Sequence, residues 1–203
     1  AATADPVREH FKLEDIHPGD VFIFNDPYQS HGTLSQLPDL SVAVPVFAEG
    51  RLLAFAQIFG HLSDVGGRVS GSLPLTSTTI FEEGIQVPPV KLYERGILNT
   101  SLRKLILRNS RFPAEVRADL DAFIGATKVI ERRIGELVER RGADFVEAAM
   151  YELIDRCART MREVILPKIP NGEFTGEDFA DNDNVDFDQP VRFEVTVKKD
   201  PEK

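Results

Sequence analysis

The stretch "LSVAVPVFAEGRLLAFAQIFG", residues 40–60, decides the fold reading. Two apolar runs, 40–47 and 51–60, flank the turn-like "AEG" at 48–50, a pattern that predicts a β-hairpin. Both runs are almost continuously apolar, as in strands buried on both faces, so other elements or another chain should cover them. Pro45 hints at an edge or a bulge within the first strand. Just upstream, "HPGD" at 17–20 reads as a turn and "VFIFN" at 21–25 as a further strand. Residues 5–12 suggest a short helix, with Asp5 able to cap it and Pro6 suited to its first turn.

Downstream the pattern changes. "GGRVSGSLPLTSTT" and "EEGIQVPP" have loop composition. A polar loop of that length is more often functional or interfacial than filler. Helices follow. Asn99 or Thr100 can cap "SLRKLILRNS". Pro113 opens a long helix in which Val116, Leu120, Phe123, Thr127, Ile130, Ile134 and Leu137 recur every three or four residues, and Gly142 stops it. A third helix repeats the pattern through Phe145, Ala149, Leu153, Cys157, Met161 and Val164 and ends near Pro167. The short connection predicts a long antiparallel helical hairpin, with both stripes as core. The tail, 169–203, reads as two strands around an acidic loop. Asp181, Asp183, Asp186 and Asp188 lack the spacing of an EF-hand and read as a solvated turn.

The expected fold class is therefore α+β: a mixed β-sheet, the helical hairpin, then C-terminal β-strands. The regions are 1–97, β-rich with the candidate site; 98–168, helical; and 169–203, together one domain of a larger subunit. Hydrophobic residues are 42% of the 203, enough to build a core and to disfavour disorder. The net charge of −9 argues against nucleic acid as a partner. A single cysteine, Cys157, excludes an internal disulfide and a cysteine-built zinc site, and reads as a core residue. It fits a reducing compartment, with cytoplasm the default. No apolar run approaches the ~18 residues of a membrane span. The missing initiator Met and the stop soon after a strand-like segment suggest a piece of a larger polypeptide.

In the hairpin, residue 39 and residues near 60 share the end away from the turn. Asp39 and His61 can then approach closely, an imidazole and carboxylate suited to Zn²⁺, Mn²⁺ or Fe²⁺, with His31 or Asp26 as a third ligand. The same pair could equally be hydrogen-bonded structure. Asp64 follows His61 by three positions, ahead of a double glycine. "GGRVSGS" lacks the lysine of a nucleotide-binding loop, and no nucleophile–base motif stands out.

Several separated motifs carry a resemblance. "PGDVFIFNDPY", "LPDLSVAVPVF", "LLAFAQIFGHLSDVGG", "GSLP" and "IFEEGIQVPPVKL" are similar in order and spacing to the hydantoinase B/oxoprolinase family. So are "LILRNSRFPAEVRADLDAFIGA", "ERRIGELVERRG" and "PNGEFTGEDFADND". The resemblance covers about Pro18 to Val197. It implies a part of an ATP-dependent hetero-oligomer, with ATP bound by a hydantoinase A-type partner subunit that phosphorylates a small-molecule carbonyl substrate. The B-type part then converts the activated intermediate, by cyclic-amide hydrolysis or by ketone carboxylation. By position, His61 matches the histidine of the family's "GHHxDxGG" stretch, Asp39 the aspartate of "GTHLPD", and Asp64 the aspartate after the second histidine. A divalent metal would be held by Asp39, His61 and His31, with His61 and Asp64 in catalytic roles. The family's usual histidine three residues before Asp39 is Gln36 here. That departure leans the expectation toward carboxylation of the acetophenone carboxylase type, with a non-catalytic structural subunit as the alternative. The family's proteins are longer, so the remaining parts of the B-type subunit are expected partners too.

Overall fold

The structure, a computed structural model, describes residues 4–200. It divides into two compact units that meet in sequence at Ala143 and Asp144. The first unit opens with α1 (Asp5–His10), in which Asp5 is the first helical residue rather than the cap. Then come β1 (Val21–Phe24), β2 (Asp39–Ala48), β3 (Arg51–His61), β4 (Val90–Glu94) and β5 (Ile97–Leu98), followed by α2 (Thr100–Asn109) and α3 (Pro113–Arg141). The second unit carries α4 (Ala143–Thr160), a widened turn over Met161–Ile165, β6 (Gly172–Ala180) and β7 (Val191–Lys199). The α+β architecture expected from the sequence is present. The sheet is not mixed: every described pairing is antiparallel, in the order β3-β2-β1-β4-β5.

The β2–β3 hairpin forms where the sequence places it, because Glu49 (φ 51°) and Gly50 (φ 78°) make a two-residue turn with both central residues left-handed. That turn matches the twist of the strands it joins. Pro45 is tolerated inside the sheet for a local reason. β1 pairs with β2 only from Ser41 to Ala43, so at Pro45 only β3 is a neighbour, and the register shifts just beyond, at Val46/Phe47. The β4–β5 turn repeats the device with Arg95 (φ 50°) and Gly96 (φ 82°).

Strand alternation splits the core across the two sheet faces. Val21, Ile23, Leu40, Val42, Val44 and Ala56 face one cluster with Val116, Leu120 and Ile124 of α3. Phe22, Phe24 and Ala43 face the other, with Val7, Ile16 and Leu34. Coverage of both faces explains why the strands lack polar alternation. α3 lies close on β3 because Gly60 has no side chain: a Cβ there would sit 2.3 Å from Phe123 Cζ. Asn99 caps α2 by accepting the Leu102 N–H at 3.0 Å. Gly142 (φ 84°) ends α3.

In the second unit the apolar stripe of α4 is not core, contrary to the sequence reading. Phe145, Leu153, Met161 and Val164 are exposed, and so is Cys157. Among the described residues of that unit the only sheet is the two-stranded β6–β7 ribbon. A two-stranded ribbon is too small to bury a helix face. Lys199 Nζ ties the ribbon to the end of the helical segment through the Leu166 and Ile169 carbonyls, at 2.7 and 2.6 Å. The acidic loop is a local turn: Asp183 accepts the Asp186 and Val185 N–H groups, which hold its carboxyl below the usual range. No described helix is long and apolar enough to cross a membrane.

Candidate functional site

The open end of the β2–β3 hairpin brings Asp39 and His61 into direct register. His61 Nδ1 lies 3.1 Å from Asp39 Oδ1. The Gln36 amide Nε2 is 3.4 Å from the same oxygen and 3.3 Å from His61 Nδ1. Gln36 Nε2 can only donate, so Nδ1 cannot accept from it and also donate to Asp39. The arrangement that satisfies both contacts of Asp39 Oδ1 has Nδ1–H and the Gln36 amide donating to it, with no hydrogen bond between Gln36 and Nδ1. That tautomer leaves Nε2 of His61 with a lone pair, and Nε2 has no hydrogen bond among the described residues. The His61 side chain is 44% exposed while that of Asp39 is 15% exposed. A sheltered carboxylate thus orients a reachable imidazole.

Neighbouring backbone fixes the pair. Leu62 N–H donates to the Pro38 carbonyl at 2.8 Å and carries the pairing one step past His61. At the end of β1, buried Asn25 donates to the Leu37 and Ile85 carbonyls at 2.7 and 2.9 Å and accepts the Val87 N–H at 2.6 Å. Asn25 thereby holds the segment that delivers Gln36 and Asp39. Asp26 does not join the pair; its Oδ1 accepts the Tyr28 and Gln29 N–H groups in a local turn.

The other expected residues sit elsewhere. His31 pairs through Nε2 with Glu9 of α1. Asp64 is fully buried and organises the glycine-rich loop: it accepts the Gly66 N–H at 2.7 Å and bonds Arg111 at 2.9 Å. Burial pushes its carboxyl up, but Arg111 and the Gly66 and Gly71 N–H groups outweigh that and hold it below the usual value. Arg111 also donates to the Gly66, Val69 and Gly67 carbonyls at 3.2, 3.0 and 2.6 Å. Nothing in the sequence signals this clamp, since Arg111 lies far along the chain from the loop it holds. Asn25 was visible only as the end of the strand-like run 21–25.

As to a metal, the ligand set Asp39, His61 and His31 is not assembled. Among the described residues no three His, Cys, Asp or Glu side chains come together to hold an ion. The two that meet, Asp39 and His61, engage each other and Gln36. Chemically, the arrangement is a carboxylate–imidazole pair able to take a proton at Nε2.

Comparison with known proteins places these observations. The profile of the hydantoinase B/oxoprolinase family matches residues 1–203. The chain is 37% identical over 163 residues to the caprolactamase subunit beta of Pseudomonas jessenii, covering 80% of this chain and 27% of that protein. It is 30% identical over 169 residues to the acetophenone carboxylase delta subunit of Aromatoleum aromaticum, covering 83% and 24%. The crystal structure of the ATP-dependent caprolactamase from Pseudomonas jessenii superposes with a TM-score of 0.78 at 36% identity, over 86% of this chain and 29% of that one. The chain thus spans about a quarter to a third of the length of these relatives.

Proposed function

Because the chain belongs to the hydantoinase B/oxoprolinase family, we propose that it is the hydantoinase B-type portion of an ATP-dependent enzyme acting on a carbonyl compound. That compound is phosphorylated by a separate ATP-binding subunit of the hydantoinase A type and then converted here. The similarity to caprolactamase and acetophenone carboxylase subunits supports the two reaction types of this reading. One opens a cyclic amide with water, and the other joins a ketone to a carboxyl group.

The observation that carries the reading is the Asp39–His61 pair with Nε2 left open. Both reactions require a proton to be removed beside the activated carbonyl: from attacking water in one, from the α-carbon in the other. His61 Nε2 takes that proton. Asp39 holds the productive tautomer and stabilises the imidazolium that forms, and Gln36 fixes Asp39. Asp64 and Arg111 position the adjoining glycine-rich loop rather than react. The pair needs no third ligand for this role, so no step is assigned to a metal.

The test is to purify the native assembly, identify its subunits by mass spectrometry, and measure substrate-dependent ATP turnover with Asp39→Asn. The proposal expects an ATP-binding partner and a turnover loss of about 10²-fold or more. An assembly in which Asp39→Asn turns over normally contradicts the role of the pair. An Asp39→Asn assembly with full subunit content but unchanged activity favours a structural subunit instead.

A further inference from the structure

The alternation of β3 sets three side chains in a row on the face opposite α3. The register pairs Asp39 with His61, Ser41 with Phe59, and Ala43 with Gln57. All three β3 members of these pairs therefore share one side of the sheet. Phe59 is 53% exposed, a large aromatic ring two residues from His61. Two strand residues span roughly 6.5–7 Å, the width of a small ring. Gln57 does not point straight out. Its Nε2 donates to the Ser41 hydroxyl at 2.7 Å, a diagonal bond across β2. Ser41 is fully buried, so this anchor is fixed. The bond draws the Gln57 amide toward the Phe59 and His61 end. It also leaves Gln57 Oε1 as an acceptor with no partner among the described residues.

We infer that Phe59 and Gln57 are the substrate-positioning residues of this strip and that they select a small cyclic amide over a ketone. This rests on the reading of His61 as the base. A flat uncharged ring lies on the exposed face of Phe59, an apolar contact that a charged compound would gain little from. Its ring N–H donates to Gln57 Oε1, and its carbonyl end reaches His61. A ketone of the same size has no N–H and would leave that acceptor unpaired. Sites built to hydrogen-bond a substrate N–H discriminate strongly against analogues that lack it.

The test titrates the full chain, ¹⁵N-labelled, with three matched probes: 2-pyrrolidinone, its N-methyl derivative and cyclopentanone. The expected result is shift changes at Gln57, Phe59 and His61 with 2-pyrrolidinone, and binding about tenfold weaker or more for the other two. Phe59→Ala weakens 2-pyrrolidinone binding about tenfold and Phe59→Tyr restores it. Gln57→Met makes the three probes equivalent. Phe59 is a surface position, and matching spectra for Phe59→Tyr show that the fold is intact. Equal binding of cyclopentanone, or no shifts at this strip, overturns the inference. His61→Ala separates the two claims. With His61→Ala, shifts at Gln57 and Phe59 and the preference for 2-pyrrolidinone over the other two probes should persist, whereas survival of ATP-dependent turnover in the assembly would defeat the base reading and leave the binding strip standing.

Discussion

Replacing Arg111 with Met removes the guanidinium from a fully buried carboxylate while keeping an unbranched apolar stem. The lost contacts are the bond to Asp64 at 2.9 Å and those to the Gly66, Val69 and Gly67 carbonyls at 3.2, 3.0 and 2.6 Å. Breaking a buried pair by removing one partner costs about 3–5 kcal/mol. The Arg111 side chain is 40% exposed, so water can enter where it stood. Asp64 also keeps the Gly66 N–H. Both facts lower the figure to about 2–3 kcal/mol. The damage is local to the glycine-rich loop, so hydrogen exchange is the assay. Amides of Val65 and Arg68, bonded to Ser72 Oγ and the Glu82 carbonyl, should exchange roughly 30- to 150-fold faster. Adding Asp64→Asn removes the stranded charge and should recover about half of the loss. Exchange within threefold of the parent, or no recovery in the double variant, refutes the reasoning.

Three further outcomes follow from the same geometry. Asp64 has a folded-state pKa below its unfolded value, so its stabilisation is complete above about pH 4 and is lost as pH falls through the folded value. The parent loop therefore loses this stabilisation in acid, whereas in Arg111→Met protonation relieves the stranded Asp64 charge, so the stability gap between parent and variant should shrink as pH falls; a gap that stays constant with pH would count against the clamp. Asn25→Ala leaves the Leu37 and Ile85 carbonyls and the Val87 N–H without their partner, for a loss of about 3 kcal/mol in urea unfolding; a loss under about 0.5 kcal/mol contradicts its role. Gly60→Ala forces Phe123 away from β3 and should cost about 1–3 kcal/mol, with Phe123→Leu relieving part of it.

The hairpin and the Asp39–His61 pair were legible because both depend on short-range rules: two apolar runs, one turn, and the counting of residues outward from it. β4 and β5 escaped notice because each is short and their turn, Arg95-Gly96, sits beside apolar residues that also fit a loop. The Arg111 clamp depends on a contact between residues over forty positions apart, which no periodicity encodes. His31 was placed near Asp39 by sequence proximity, but its left-handed backbone (φ 51°) lies in a loop whose end pairs with α1 instead. For α4, periodicity identified an apolar face but said nothing of what covers it. The Asp39–His61 pairing was thus visible, and the residues that hold it in place largely were not.

The central claim, that His61 is the base at an activated carbonyl, is tested most directly by His61→Ala in the native assembly, with kcat and KM measured separately under saturating ATP. The account predicts a fall in kcat of about 10²- to 10⁴-fold with KM nearly unchanged, and subunit composition intact. A kcat within about twofold of the parent would contradict it.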